Sequence, residues 1–143
     1  MKPDETPSRS LVIERKLSHP ASKVWRALTQ GALMEEWLMK NDFQPVVGHR
    51  FTLRSEPNPH WNGIIECQVL AVEPNQRLSY SWGSLGLEST VTFTLTPMEG
   101  GVLLRMEQSG FPTGAGRDQY YQGAKYGWTR FLDALQGVVA KLD

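Results

Sequence analysis

Apolar residues along this chain keep two different rhythms, and the change between them divides it. From Gly48 to Gly110 they recur in steps of two, broken by turn residues at hairpin intervals, the signature of half-buried antiparallel strands. From Asp118 to Leu142 the steps become three and four: Tyr121, Ala124, Trp128, Phe131, Leu135, Val138 and Leu142, a stripe widened by Tyr120, Leu132 and Val139. That is one face of a long amphipathic helix, roughly 37 Å long at about 1.5 Å per residue. A face so extended needs a broad apolar surface to cover it, which a curved sheet supplies.

In chain order, residues 1–8 carry charge and proline but nothing to bury, and read as a disordered leader before a single domain over 9–143. A first strand starts near Arg9, with Leu11, Ile13 and Leu17 on one parity and Arg15 sharing it. Ser18-His19-Pro20 starts a short helix, with a Ser or His cap and proline in the first turn; Val24, Trp25 and Leu28 form its apolar side. A second short helix runs from Gly31 to Leu38, placing Leu33, Met34, Trp37 and Leu38 together.

Five strands follow: His49 to Ser55 with Phe51 and Leu53 inward; Gly63 to Glu73; the run of Leu78, Tyr80 and Trp82; that of Val91, Phe93 and Leu95; and that of Val102, Leu104 and Met106. The connections are a loop over Glu56 to His60 and turns at Pro74-Asn75, Gly83 to Gly86 and Met98 to Gly101. The meander ends at Gly110, and Phe111 to Gly116 is a flexible connection to the long helix. The fold class is α+β, with about six strands.

Composition narrows the function. Fifteen Lys and Arg balance fifteen Asp and Glu in 143 residues, so no net field favours nucleic acid or an anionic membrane. The one cysteine, Cys67, allows no intrachain disulfide and reads as a buried structural thiol in a reducing, cytoplasmic setting. No signal peptide or membrane span is visible. His19, His49 and His60 have no metal-ligand spacing, no serine stands in a nucleophile elbow, and the glycine clusters are not phosphate loops, so no metal, cofactor or catalytic residue is expected.

The candidate chemistry lies on the inward parity. Arg15, Ser55, Ser89 and Gln108 are polar groups that need partners if buried. Arg15 reads as a ligand-carboxylate anchor or as an ion pair with Glu66, Glu88 or Glu107; Gln108 as a ligand donor or a backbone partner. Trp37, Phe51, Tyr80, Trp82, Phe93, Met106, Tyr121 and Trp128 read as packed core or as the lining of an apolar cavity. Trp61 reads as exposed. Gly123 and Gly127, one turn apart on the helix, each cost about 1 kcal/mol against Ala. They imply close approach of a neighbouring element or room for a ligand beside Trp128.

A set of motifs resembles a known family. They are Pro20 with Val24-Trp25 and Leu28-Thr29, Trp37, Gly48 with Phe51, Gly63, Glu73-Pro74 with Leu78, and Tyr80 with Trp82. Further along come Val91, Phe93 and Leu95, then Ser109-Gly110-Phe111, and Gly127-Trp128 with Leu132 and Leu135. Over Leu11 to Leu142 the chain resembles the Hsp90 ATPase activator homologue-like (AHSA1-like) branch of the helix-grip (SRPBCC) superfamily, which includes START-related and Bet v 1-like proteins. The resemblance implies a cavity between sheet and long helix, open near the short helices and the loop before the long one. Relatives often carry a histidine where this chain has Gln108, so chemistry needing that histidine is not expected. Nor is there room for the cochaperone's separate N-terminal domain.

Three functions are consistent with these features. The first is a module binding a small hydrophobic or aromatic ligand, with Arg15 or Gln108 orienting it. The second is a cyclase- or hydrolase-like enzyme using Arg15, Glu66, Glu88 or Tyr80 in the same cavity. The third is a chaperone-contacting, stress-related interaction protein presenting apolar residues around Trp61 or Phe111. The expected assembly is a monomer or homodimer.

Overall fold

A computed structural model describes residues 8–84, 86–112 and 118–142 of the chain; of the expected leader at 1–8, residues 1–7 lie outside the described residues and Ser8 belongs to the first strand. The elements run β1 (Ser8–Leu17), α1 (Ala21–Thr29), α2 (Gly31–Trp37), β2 (Lys40–Asn41), β3 (Arg50–Arg54), β4 (Ile64–Glu73), β5 (Arg77–Ser84), β6 (Leu87–Met98), β7 (Gly101–Pro112) and α3 (Asp118–Lys141). The strands form one curved antiparallel sheet in the order β1-β7-β6-β5-β4-β3-β2. A meander from β2 to β7 is thus closed at its far edge by β1. This is the expected α+β helix grip, with seven strands where the pattern predicts about six. The extra strand, β2, is two residues long and too short to show alternation.

Hydrophobic burial follows the inward parity of every long strand. Leu11 and Leu17 of β1, Phe51 and Leu53 of β3, Ile65, Cys67 and Val69 of β4, and Leu78 and Tyr80 of β5 are buried. So are Val91, Phe93 and Leu95 of β6, and Val102, Leu104 and Met106 of β7. Opposite them α3 buries Trp128, Leu132, Leu135, Val138 and Val139. The helix lacks the propensity to be stable alone with two glycines in its first half, so this packing is what holds it.

Three local expectations are corrected. Helix α1 has no side-chain cap: Pro20 is itself the cap residue, and its carbonyl accepts from the amides of Lys23 and Val24 at 3.0 and 3.3 Å. His19 instead contacts the Lys23 ammonium through Nδ1 at 3.3 Å. Gly83 does not begin a turn, because β5 continues through it to Ser84, which pairs with Leu87. The third correction concerns the end of the meander. Strand β7 does not stop at Gly110 but passes through it to Pro112, because Gly110 is an inserted bulge residue: Arg9 pairs with Phe111 and Ser10 with Ser109. The rest of the expected connection, 113–117, lies outside the described residues.

The bulge changes which side chains of β7 face the helix. Up to Gln108 the even-numbered residues point inward; one extra residue reverses the parity and turns Phe111 in. Phe111 is accordingly buried, 7% exposed, and meets Tyr121 edge-on with ring centroids 5.7 Å apart. Gly110 holds φ +100°, and a Cβ there would stand 3.3 Å from the Glu88 carbonyl oxygen. Gly110→Val should therefore destabilise the protein by about 1–3 kcal/mol, measured by urea unfolding, whereas Gly86→Ala, at a hairpin position with open space around it, should cost less.

Candidate functional site

The side chains between sheet and helix form a continuous run of rings. Phe43 meets Phe51 at 5.0 Å, Phe51 meets Tyr80 at 5.3 Å, Tyr80 meets Phe93 at 6.1 Å, and Phe93 meets Trp128 at 5.8 Å. Beyond Trp128 the run forks to Trp82 at 5.2 Å and Phe131 at 5.5 Å. Most contacts are edge-to-face, the arrangement that the ring quadrupole favours. From Phe43 to Phe93 this half of the grip is solid. Phe51, Tyr80, Phe93 and Met106 are buried at 3% exposure or less. Trp37 closes the same core from α2, edge-on to Phe93 at 6.2 Å, with its indole donating to the Ala27 carbonyl at 2.8 Å. That bond ties α2 to α1.

Past Trp128 the grip opens. A hollow of about 210 Å³ lies between the β5–β6 hairpin, the end of β7 and the first half of α3. Trp82, Ser89, Gln108 and Phe111 border it from the sheet, and Tyr120, Gly123, Gly127, Trp128 and Phe131 from the helix. It holds about seven water volumes at roughly 30 Å³ each. The two glycines are part of its shape. Among the described residues, a Cβ at Gly123 would meet nothing within 4 Å, and one at Gly127 would meet only Phe131 Cε2 at 3.9 Å. Close approach of a strand therefore does not explain them; both border the hollow beside Trp128.

The polar groups of this wall satisfy one another. The Trp128 indole donates to Gln108 Oε1 at 2.8 Å. An indole N–H can only donate, so the amide oxygen of Gln108 must face it and the NH₂ must face away. That NH₂ donates to Ser89 Oγ at 2.9 Å, and the Ser89 hydroxyl donates to the Trp82 carbonyl at 3.2 Å. Gln108 thus serves two side chains, not backbone. Among the described residues, Ser89 is the one partner of its amide nitrogen.

Of the ten candidate binding residues, the structure brings Trp82, Gln108 and Trp128 to the hollow. Tyr121 stands behind Phe111, with the Arg9 guanidinium 3.6 Å above its ring. Trp37, Phe51, Tyr80, Phe93 and Met106 belong to the solid half. Arg15 is elsewhere: its Nη2 lies 3.4 Å from Asp133 Oδ1, a surface pair that joins β1 to α3. Its partner is neither Glu66, Glu88 nor Glu107. Ser55 lies past the end of β3 and is exposed. Trp61 is half-buried against the core, and its Nε1 is buried without a partner among the described residues. With Phe111 buried too, the expected exposed patch around Trp61 and Phe111 is not there.

Phe131 and Tyr120 belong to the site through the α3 stripe, although nothing in that stripe separates wall from core. Phe111 borders the hollow from a segment whose pattern reads as connection, and Leu87 from just beyond the expected Gly83 to Gly86 turn.

The acid–base groups are placed unfavourably for chemistry. Glu66 and Glu88 are exposed, although Glu88 also borders the hollow. Glu88 has the outward parity, opposite to Ser89, and its carboxylate folds over Gly83, where Oε1 stands 2.8 Å from the place a Cβ would take. The buried polar or charged residues among those described are Thr29, Ser79 and Gln108. The Tyr80 hydroxyl is buried without a partner among the described residues, and burial holds it well above its ordinary range, the Cys67 thiol adding to the effect. Burial likewise pushes the Cys67 thiol up to about 12, helped by the Glu88 and Asp42 carboxylates. Cys67 is therefore a structural thiol, as its strand position implies. Among the described residues no His, Cys, Asp and Glu group could hold a metal ion, and no helix is long and apolar enough to cross a membrane.

A sheet gripping one long helix, closed at one end and hollow at the other, defines the helix-grip class. Within it the chain belongs to the family described as "Activator of Hsp90 ATPase homolog 1-like protein", whose model matches residues 18–140. Among solved structures it is similar to protein MLL2253 from Mesorhizobium loti, at 50% identity and a TM-score of 0.85, over 94% of this chain and 99% of that one. It is also similar to BH1534 from Bacillus halodurans, at 28% identity and a TM-score of 0.75, over 92% and 96% of the two chains. CalU16 from Micromonospora echinospora is 25% identical with a TM-score of 0.76, over 94% and 78%. A search of curated proteins gives no match.

Trp128→Phe removes the indole donor and leaves Gln108 Oε1 buried and unpaired, so it should destabilise by about 1–3 kcal/mol. Trp128→Phe with Gln108→Leu should recover part of the loss, since neither polar group then remains; urea unfolding of the double-mutant cycle checks this. The Cys67 and Tyr80 acids are both raised in the fold, so the native state keeps protons that the unfolded chain releases. The contribution of these two groups should be constant below about pH 9, and that of Cys67 should be lost as pH rises from about 9 through about 12, with Cys67→Ala losing part of that slope in alkaline unfolding.

Proposed function

We propose that this protein binds a small apolar ligand in the hollow beside Trp128. The observation that carries the proposal is the pair Gly123 and Gly127. Helix α3 accepts a cost of about 1 kcal/mol at each, and the space left open is bordered by aromatic rings, among them Trp128, whose indole N–H is already paired with Gln108. An apolar molecule entering there leaves that donor paired, and the Gln108 amide can orient an acceptor on it. Arg15, bonded to Asp133 on the surface, takes no part in this reading. A cytoplasmic location belongs to the same proposal.

The enzyme reading has less support: Glu66 faces out, Tyr80 is sealed in the solid half, and Glu88, which borders the hollow together with Tyr120, is an exposed carboxylate. The chaperone reading takes its support from the family description alone.

Differential scanning fluorimetry with 1-naphthol tests the proposal. A ligand held at a hundred times its Kd stabilises the native state by about 2.7 kcal/mol, so Tm should rise. Gly127→Leu should fold at least as stably as the natural chain, because the helix gains propensity, yet lose the Tm response as its side chain fills the hollow. A Gly127→Leu protein that still responds fully to 1-naphthol would contradict the proposal.

A further inference from the structure

The long helix borders a second recess besides the hollow. On its other side a groove of about 340 Å³ runs between Trp37 of α2 and the α3 residues Tyr126, Arg130 and Ala134. Gly127 and Phe131 border both spaces. Gly127 contributes no side chain, so among the described residues the Phe131 ring is the one side chain common to the two. Its neighbours differ from it in how firmly they are held. Trp128 is pinned by the bond to Gln108 and by ring contacts to Phe93 and Trp82. Trp37 is pinned by its bond to Ala27. Phe131 is half-buried, and among the described residues its one ring contact is with Trp128, edge-on at 5.5 Å and 79°.

We infer that Phe131 is the partition that sets the length of ligand this protein accepts. The inference rests on the binding proposal above and names the residue that gives it selectivity. With the ring in place, the space ends at about 210 Å³ and admits a compact ligand. With the ring removed, that space joins the groove beside Trp37, and a longer apolar chain can pass over Gly127 between the two anchored indoles.

The test uses neutral straight-chain alcohols from hexan-1-ol to tetradecan-1-ol as probes, with Kd and the Trp37 and Trp128 indole N–H signals followed by NMR. Each methylene that enters an apolar space tightens binding about four-fold. In the natural protein, Kd should improve at about that rate until the hollow is full and then level off, with the Trp128 signal shifting and the Trp37 signal still. In Phe131→Ala the levelling-off should move to longer chains, and the longer alcohols should shift both signals. Phe131→Leu, which keeps more of the core contact, should level off between the two and serves if the alanine variant does not fold. Equal levelling-off in all three, or a Trp37 signal that never moves in the variants, would overturn the partition and leave the binding proposal standing. No shift of Trp128 with any alcohol in the natural protein would remove both.

Discussion

The indole of Trp128 is a bulky group with one polar atom that can only donate, and much of the helix grip is arranged around meeting that demand. Buried without an acceptor, it would cost about 1–3 kcal/mol. Its acceptor is Gln108, 2.8 Å away on β7. The bond fixes the rotation and depth of α3 against the sheet, the orientation of the Gln108 amide, and through it the Ser89 hydroxyl and the end of β5. With this point fixed, the ring contacts behind Trp128 pack as a solid core. Of the helix residues ahead of it, Tyr121 still meets Phe111 of β7, while Gly123 and Gly127 border the hollow.

This division into a filled half and a hollow half explains why aromatic residues on one face have different roles. Tyr80 and Trp82 are two residues apart on one strand and share the inward parity. Tyr80 is sealed among Phe43, Phe51 and Phe93, while Trp82 faces Trp128 beside open space. The Gly110 bulge then closes the hollow end by turning Phe111 inward. A straight β7 would present Phe111 to solvent.

The period-two and helical rhythms made the sheet, the three helices and the buried parity legible, since burial on one face is what creates such rhythms. The limits were also physical. Strand β2 has two residues and no period to read. A bulge adds one residue without any apolar signal, so the alternation breaks at Gly110 although the strand does not. Alternation gives the side of a sheet on which Arg15 and Ser55 lie but not their distance from its rim; one proved a surface partner of Asp133 and the other an exposed residue past a strand end. Gln108, Trp82 and Trp128 were legible as candidates because they combine inward parity with a polar atom or a large ring, and the structure places them beside the hollow. The difference between wall and core could not be read, because it depends on the spacing of α3 from the sheet, which the Trp128–Gln108 bond sets across the fold.

The central claim is that the grip is hollow at the Trp128 end and solid at the Tyr80 end. A crystal structure under xenon pressure tests it directly, since xenon enters dry apolar spaces and is excluded from packed ones. The account predicts xenon beside Trp128 and Gly127 and none among Phe43, Phe51 and Tyr80. Xenon absent from the Trp128 end, with Phe131 or Tyr120 collapsed into the space, would contradict it.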